Sequence, residues 1–177
     1  MNYWLLSDTH FNHEKLSEWG GRSGDWQEKF WEGLARIPDG DMLIHLGDIC
    51  IGDDAEVHEK LRNKNIKMVL VRGNHDGKSV NWYQEHGWDF VCDSFELLYH
   101  GHYLYFSHRP QPPMGHFTHN IHGHTHGNTH RSEEYLSFYD KEYHLDISPE
   151  LVGFAPIRLD SLLKRRPTPT PPTPEMK

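Results

Sequence analysis

The sequence predicts an α/β protein whose chemistry-bearing side chains gather outside the carboxyl ends of a largely parallel sheet. Three observations predict it. Short apolar runs at residues 3–7, 42–46 and 67–72 are separated by segments with helical spacing, which is the alternation of a parallel sheet. Each run stops at a potential ligand cluster: Asp8-Thr9-His10, Gly47-Asp48 and Gly73-Asn74-His75-Asp76. Beyond Phe90 the texture turns β-rich and delivers two more clusters, Ser107-His108 and Gly123-His124-Thr125-His126.

Residues 3–7 read as a first buried strand, and residues 11–22 as loop with at most a short helix, since Gly20-Gly21 forbids a long one. Asp25 followed by Glu28 has capping-box spacing, and Trp26, Phe30, Leu34 and Ile37 then recur on one helical face until Pro38-Asp39-Gly40 stops it. Residues 42–46 form the second strand. Asp53-Asp54 opens a helix running to about residue 63, with Val57 and Leu61 inward, and residues 67–72 form the third strand. Residues 95–99 and 103–107 flank His100-Gly101 as a hairpin. The segment 109–115 is a stiff, proline-rich wall beside His108. Residues 142–147 and 156–159 are the last strands, and 161–164 a closing turn of helix. The chain therefore divides into one domain over 1–164 and a Pro/Thr-rich tail over 165–177 with too little apolar content to pack.

A length of 177 residues suits one domain with a proper core. The net charge of -8 excludes a broad grip on duplex phosphates, which needs a basic face. Small or single-stranded phosphate esters remain as substrates. Two cysteines, Cys50 and Cys92, with no CxxC, exclude a zinc ribbon and a disulfide framework; both read as reduced thiols in a cytoplasmic protein. The apolar opening residues stop at Asp8, too short for a signal peptide, and no run reaches spanning length. Sixteen histidines are an unusual number and point toward metal binding.

Asp8, His10, Asp48, Asn74, His108, His124 and His126 make an oxygen and nitrogen donor set without thiolate. Such a set suits Mn, Fe, Zn, Co or Ni better than Ca or Mg. It is too large for one tetrahedral ion. If Asp48 bridges, two divalent ions share it, and ions roughly 3.5–4 Å apart can clamp both oxygens of a phosphoryl displacement and generate hydroxide from water near neutral pH. His75 follows a ligand directly and can give up a proton, with Asp76 next to it as a carboxylate able to orient the ring. Arg22 and Arg109 are candidates for a non-bridging phosphate oxygen, and His13 for the substrate mouth. The other histidines (His45, His58, His86, His100, His102, His116, His119, His122, His130 and His144) read as surface or structural residues.

Taken in order, Asp8-Thr9-His10, Gly47-Asp48, Gly73-Asn74-His75-Asp76, His108 and Gly123-His124-Thr125-His126 resemble the five signature blocks of the calcineurin-like metallophosphoesterase superfamily. Residues 7–13 and 45–48 are similar to its compact bacterial and phage branch. The resemblance implies a four-layer α/β-β/α sandwich of mixed sheets, metallo-dependent phosphatase-like. It implies one ion on Asp8, His10, Asp48 and His126, and a second on Asp48, Asn74, His108 and His124, with Mn expected at both. It also implies that His75 contacts the phosphate and protonates the leaving oxygen while Asp76 orients it.

The function expected is a phosphoesterase acting on diesters, and also on monoesters, through a hydroxide bridging two ions. A non-catalytic scaffold of the same fold is the alternative, but scaffolds of that kind have lost the acid histidine that stands here as His75. A repair-type nuclease fits less well with an acidic, short chain. The partner expected is a small phosphate ester or nucleotide, with neither a duplex nucleic acid nor a membrane.

Overall fold

The computed structural model describes residues 1–13, 15–19, 21–51, 55–127 and 135–164. Gly20, the helix start expected at Asp53-Asp54, His130 and the tail expected at 165–177 lie outside them.

Along the first half run β1 (Tyr3–Leu6), α1 (Leu16–Trp19), α2 (Trp26–Ala35), β2 (Met42–His45), α3 (Ala55–Arg62), β3 (Lys67–Val71), α4 (Val80–Glu85) and β4 (Phe90–Cys92). The second half holds β5 (Ser94–Tyr99), β6 (His102–Ser107), β7 (His119–His122), β8 (His144–Asp146), α5 (Pro149–Val152), β9 (Ile157–Arg158) and α6 (Leu159–Leu163). One sheet has the order β4-β3-β2-β1-β9 and the other β5-β6-β7-β8. In the first, β1 to β4 are parallel and β9 returns antiparallel beside β1. In the second, the β5–β6 hairpin is antiparallel, and β6, β7 and β8 are parallel. Both sheets are thus mixed, as an α/β fold of this class requires.

Side-chain alternation along the strands sorts the apolar residues into two layers. Leu6, Leu43, Met68 and Leu70 face Trp26, Phe30 and Leu34 of α2, Val57 and Leu61 of α3, and Tyr83 of α4. Their neighbours Leu5, Ile44, Val69 and Val71 face the other way, against Leu104, Phe106, Ile121 and Leu145 of the second sheet. Each fully buried aliphatic side chain contributes about 1.5–3 kcal/mol. The inter-sheet layer therefore fixes the two strand ends relative to each other, and the site is built across them. The fourth layer, beyond the second sheet, is thin among the described residues: Tyr139 stacks on His144, whose Nε2 lies 2.8 Å from the Gln111 carbonyl of the 109–118 loop.

The hairpin forms where expected, with His100 and Gly101 both at positive φ (48° and 83°), as a tight two-residue turn demands. The capping box does not form. Asp25 stands at the N-cap of α2 with no side-chain cap bond, because its carboxylate instead accepts from Ser23 Oγ at 2.5 Å and pairs with Lys29 Nζ at 3.0 Å. Of the histidines outside the signature, His45, His58, His102, His119, His122 and His144 are buried, which makes them structural and not surface residues. No helix among the described residues is long and apolar enough to cross a membrane.

Candidate metal centre

The loops after β1, β2, β3, β6 and β7 converge at one edge of the sandwich. Asp8, His10, Asp48, His124 and His126 account for five of the eight non-glycine residues with positive φ among the described residues. Non-glycine residues avoid that region, and such strain persists where the surroundings over-determine it, often at functional sites. Here the loops are pinned from several directions. Asp8 N–H donates to Gly47 O at 2.9 Å, His10 N–H to Asp48 O at 3.0 Å, and Phe11 N–H to Ile49 O at 2.8 Å, so the first two loops run as a continuation of the sheet. Gly47, at φ 90°, has no room for a side chain, since a Cβ there would lie 2.6 Å from Gly73 Cα. A Cβ on Gly123 would run into Ser7 Oγ and Asp8 Oδ2, so its absence lets the second sheet's loop close on the first.

Two groups of three ligand-bearing side chains result: Asp8, His10 and His126, and Asp48, His108 and His124. Within each group the ligand atoms lie within 4.8 Å of one another. Asp48 stands between the groups, its Oδ2 3.7 Å from His10 Nε2 and 3.4 Å from His108 Nε2. Asn74, though exposed, brings its Oδ1 to 3.1 Å from His108 Nε2 and so joins the second group. Asp8 uses its two oxygens differently. Oδ2 accepts from Ser7 Oγ and from the His124 N–H at 2.9 Å. Oδ1 is buried without a hydrogen-bond partner and points toward His126 Nε2 at 3.5 Å. A buried, unpartnered carboxylate oxygen is costly unless a cation takes it; the donor set fits a divalent ion there.

The ring orientations agree with that fit. His108 Nδ1 donates to the Leu46 carbonyl at 2.7 Å, which leaves Nε2 as the atom turned to Asp48 and to His124 Nδ1 at 3.1 Å. Burial works against charging His108, yet the hydrogen bond to Asp48 and the charges of Asp8 and Asp48 lift its pKa to about 9. Burial likewise opposes ionisation of Asp48, but His108, the His75 N–H and His10 hold its carboxyl below the usual range. Burial pushes Asp8 up and drives His10 down to about 2. His10 therefore refuses a proton and keeps a lone pair for an ion, whereas His108 holds a proton that a divalent ion would displace on binding.

His75 is exposed, its ring 5.4 Å from that of His10 and its Nε2 4.0 Å from Asp48 Oδ2, too far for a hydrogen bond. Its main-chain N–H donates to Asp48 Oδ1 at 2.8 Å. The expectation that Asp76 orients the His75 ring is corrected by the structure. Asp76 is buried and its carboxylate accepts from three main-chain N–H groups: Asp48 at 2.7 Å, Gly73 at 2.7 Å and Ile49 at 3.1 Å. Asp76 thus ties the second loop to the third and leaves the ring alone.

Arg22 is a second correction. It is 2% exposed and turned inward, because its guanidinium donates to Glu150 and to the carbonyls of Asp8 and Thr9. It is not free to meet a phosphate. His13 is half-buried at the rim, its ring 6.2 Å from that of His10, and Arg109 is exposed next to His108.

Three supporting residues are not assigned to the site by the sequence. His45 lies under the second loop, its Nδ1 accepting from Gly47 N–H at 3.1 Å and its Nε2 meeting Thr9 Oγ1 at 3.1 Å. Ser148 Oγ accepts the His126 N–H at 3.0 Å and donates to Asp146. Glu150 brings both carboxylate oxygens to 3.2 Å from His126 Nδ1. A usable signal for the last was Ser148-Pro149-Glu150, a helix start with proline in the first turn.

Residues 1–139 match the calcineurin-like phosphoesterase superfamily domain. An uncharacterized protein of Methanocaldococcus jannaschii is 28% identical, over 91% of this chain and 89% of its own. A solved structure from Aquifex aeolicus, of a protein of unknown function, shares the fold with a TM-score of 0.71 at 20% identity, covering 93% of this chain and 98% of that one. The nuclease MPE of Pseudomonas putida superposes more loosely, with a TM-score of 0.47 at 26% identity, over 70% of this chain and 61% of its own.

Proposed function

The chain belongs to the calcineurin-like phosphoesterase superfamily, and from that membership we propose a metal-dependent hydrolase whose substrates are small phosphodiesters, nucleotides among them. The observation that carries the reading is the pair of ligand groups with Asp48 Oδ2 between them and the unpartnered Asp8 Oδ1 beside them. Asp8, His10, Asp48 and His126 would hold one ion, and Asp48, Asn74, His108 and His124 the other. Two divalent cations, Mn first among them, would supply Lewis acidity toward phosphoryl oxygens and lower the pKa of water.

The chain's own residues supply the rest. Hydrolysis adds a water oxygen to phosphorus and breaks the bond to the leaving oxygen, which needs a proton. His75 is the donor: its imidazole is open to solvent over both groups, and Asp48 fixes its main chain. His13 and Arg109 edge the opening and contact the substrate. Acidic charge keeps duplex nucleic acid away, and Cys50 and Cys92, joined in no disulfide, suit the cytoplasm.

The test is turnover of bis(p-nitrophenyl) phosphate, with p-nitrophenyl phosphate for comparison, by the Mn-loaded chain and by His75→Ala. The expected result is diester turnover that falls at least about 10²-fold in the variant with metal content unchanged. Equal rates would remove His75 from the reaction. A wild-type chain that binds both ions and turns over neither compound would favour a scaffold.

A further inference from the structure

One ion pair beside the site, its arginine buried and its glutamate half-buried, takes no part in that chemistry. Arg22 precedes α2 and Glu150 lies in the first turn of α5, 128 positions apart. Arg22 Nε donates to Glu150 Oε1 at 2.9 Å; its Nη2 donates to Asp8 O at 2.9 Å and its Nη1 to Thr9 O at 3.2 Å. The Arg22 side chain is fully buried, over the rings of Trp26 and Phe154 at 5.0 Å and 5.5 Å. One guanidinium therefore grips the main chain of the first ligand loop and the carboxylate that faces His126. Such a planar fork holds several acceptors in fixed directions, which a lysine does not.

A neutral imidazole offers one N–H and one lone pair, and the partner of one nitrogen decides what the other can do. Two groups approach His126 Nδ1: the Glu150 carboxylate, with both oxygens at 3.2 Å, and Arg22 Nη2 at 3.3 Å. The two make opposite demands, since a carboxylate accepts and a guanidinium donates. Arg22 Nη2 gives one of its two N–H groups to Asp8 O, and the other, at 3.3 Å, is outweighed at Nδ1 by two nearer carboxylate oxygens. The carboxylate therefore takes the Nδ1 proton, and Nε2 keeps its lone pair toward Asp8 Oδ1, 3.5 Å away.

We infer that Glu150, held by Arg22, is a positioning residue that fixes the tautomer and ring direction of His126 for one ion, that of the Asp8, His10 and His126 group. The inference rests on the metal-centre reading above. Glu150 acts through His126 and touches no reacting atom. His108 in the other group is directed by the Leu46 carbonyl, so loss of Glu150 is felt at one ion only.

The first test needs no metal. Imidazole ¹⁵N shifts of His126 in the chelator-treated wild-type chain are expected to report a protonated Nδ1; a protonated Nε2 with a bare Nδ1 would overturn the inference. The second is calorimetric titration of the full chain with Zn²⁺ alone. Glu150→Ala is expected to weaken one of two ions about 10- to 100-fold and leave the other within about twofold. Glu150→Gln, which keeps an oxygen for the Nδ1 proton, is expected to recover most of that loss. Equal weakening of both ions, or of neither, would overturn the proposal. A wild-type chain that takes up no Zn²⁺ would instead remove the metal-centre reading itself, while the tautomer result would still stand on its own.

Discussion

Asp8, His10 and His126 lean on an arginine–glutamate ion pair, whereas Asp48 and His108 lean on hydrogen bonds that involve the main chain of the neighbouring ligand loops. For the first group the support is Arg22 and Glu150, an ion pair between segments that meet only in the folded protein. For the second it is Asp76, three positions beyond Gly73, gathering the N–H groups of Asp48, Ile49 and Gly73, together with the Leu46 carbonyl under His108. The difference teaches where each group is vulnerable. A clamp of backbone hydrogen bonds is part of the fold, and cutting it costs stability. Trimming an ion pair at the edge of the site is expected to cost the affinity of one ion under the proposal above.

The sharpest way to break this contrast is Asp76→Ala. Three N–H groups lose their acceptor, and each buried donor left unsatisfied costs about 1–3 kcal/mol. Urea denaturation of the chelator-treated protein is expected to show a loss of about 3 kcal/mol or more. A loss under about 1 kcal/mol would mean that Asp76 is not what ties the second and third loops together.

Acid gives a smaller and more selective lever. Burial holds His45 neutral down to about 3 and His58 to about 4. In the unfolded chain both protonate near 6.5. Between those values the unfolded state binds protons that the native state refuses, so stability is fully present above about pH 6.5 and lost as pH falls through that window. By pH 5 the His45 share is about 2 kcal/mol. Glu150 behaves differently: burial would raise its carboxyl, yet His126 and Arg22 hold it below its usual value, so its support lasts until the pH drops below about 4.5. Acid therefore loosens the loop over His45 before it releases His126. His45→Gln retains an acceptor for Gly47 and a donor for Thr9. Between pH 7 and pH 5 it should lose about 2 kcal/mol less than the wild type, measured as denaturation midpoints without metal. Identical pH profiles would contradict that role for His45.

The same contrast explains what could be read from the sequence. Asp8, His10, Asp48, Asn74 and His108 are legible because each sits one to three residues past an apolar run, and apolar runs in strands declare themselves; His124 and His126 are legible from their own Gly123-His124-Thr125-His126 cluster. The clamp is half legible: Asp76 belongs to the same cluster as His75, but adjacency points to the ring, while folding offers three backbone donors. The Arg22 and Glu150 pair was illegible. Ser148-Pro149-Glu150 marks a helix start but no partner, Arg22 has no periodic context, and their meeting depends on how two distant segments pack. Helix α4 escaped notice for a related reason. Among its residues Tyr83 is the one buried side chain, so no apolar period announces it. Strand β4, at three residues on a sheet edge, is too short to show alternation. The Asp25 to Glu28 spacing predicted a cap that Ser23 and Lys29 pre-empt.

The central claim is that six side chains, with Asn74 beside them, cage two cations and share Asp48 between them. Anomalous diffraction from crystals of the Mn-loaded chain tests it directly. The account predicts two peaks roughly 3.5–4 Å apart, one enclosed by Asp8, His10 and His126 and the other by Asp48, His108 and His124, with Asp48 touching both. A single peak, or density away from these side chains, would contradict it.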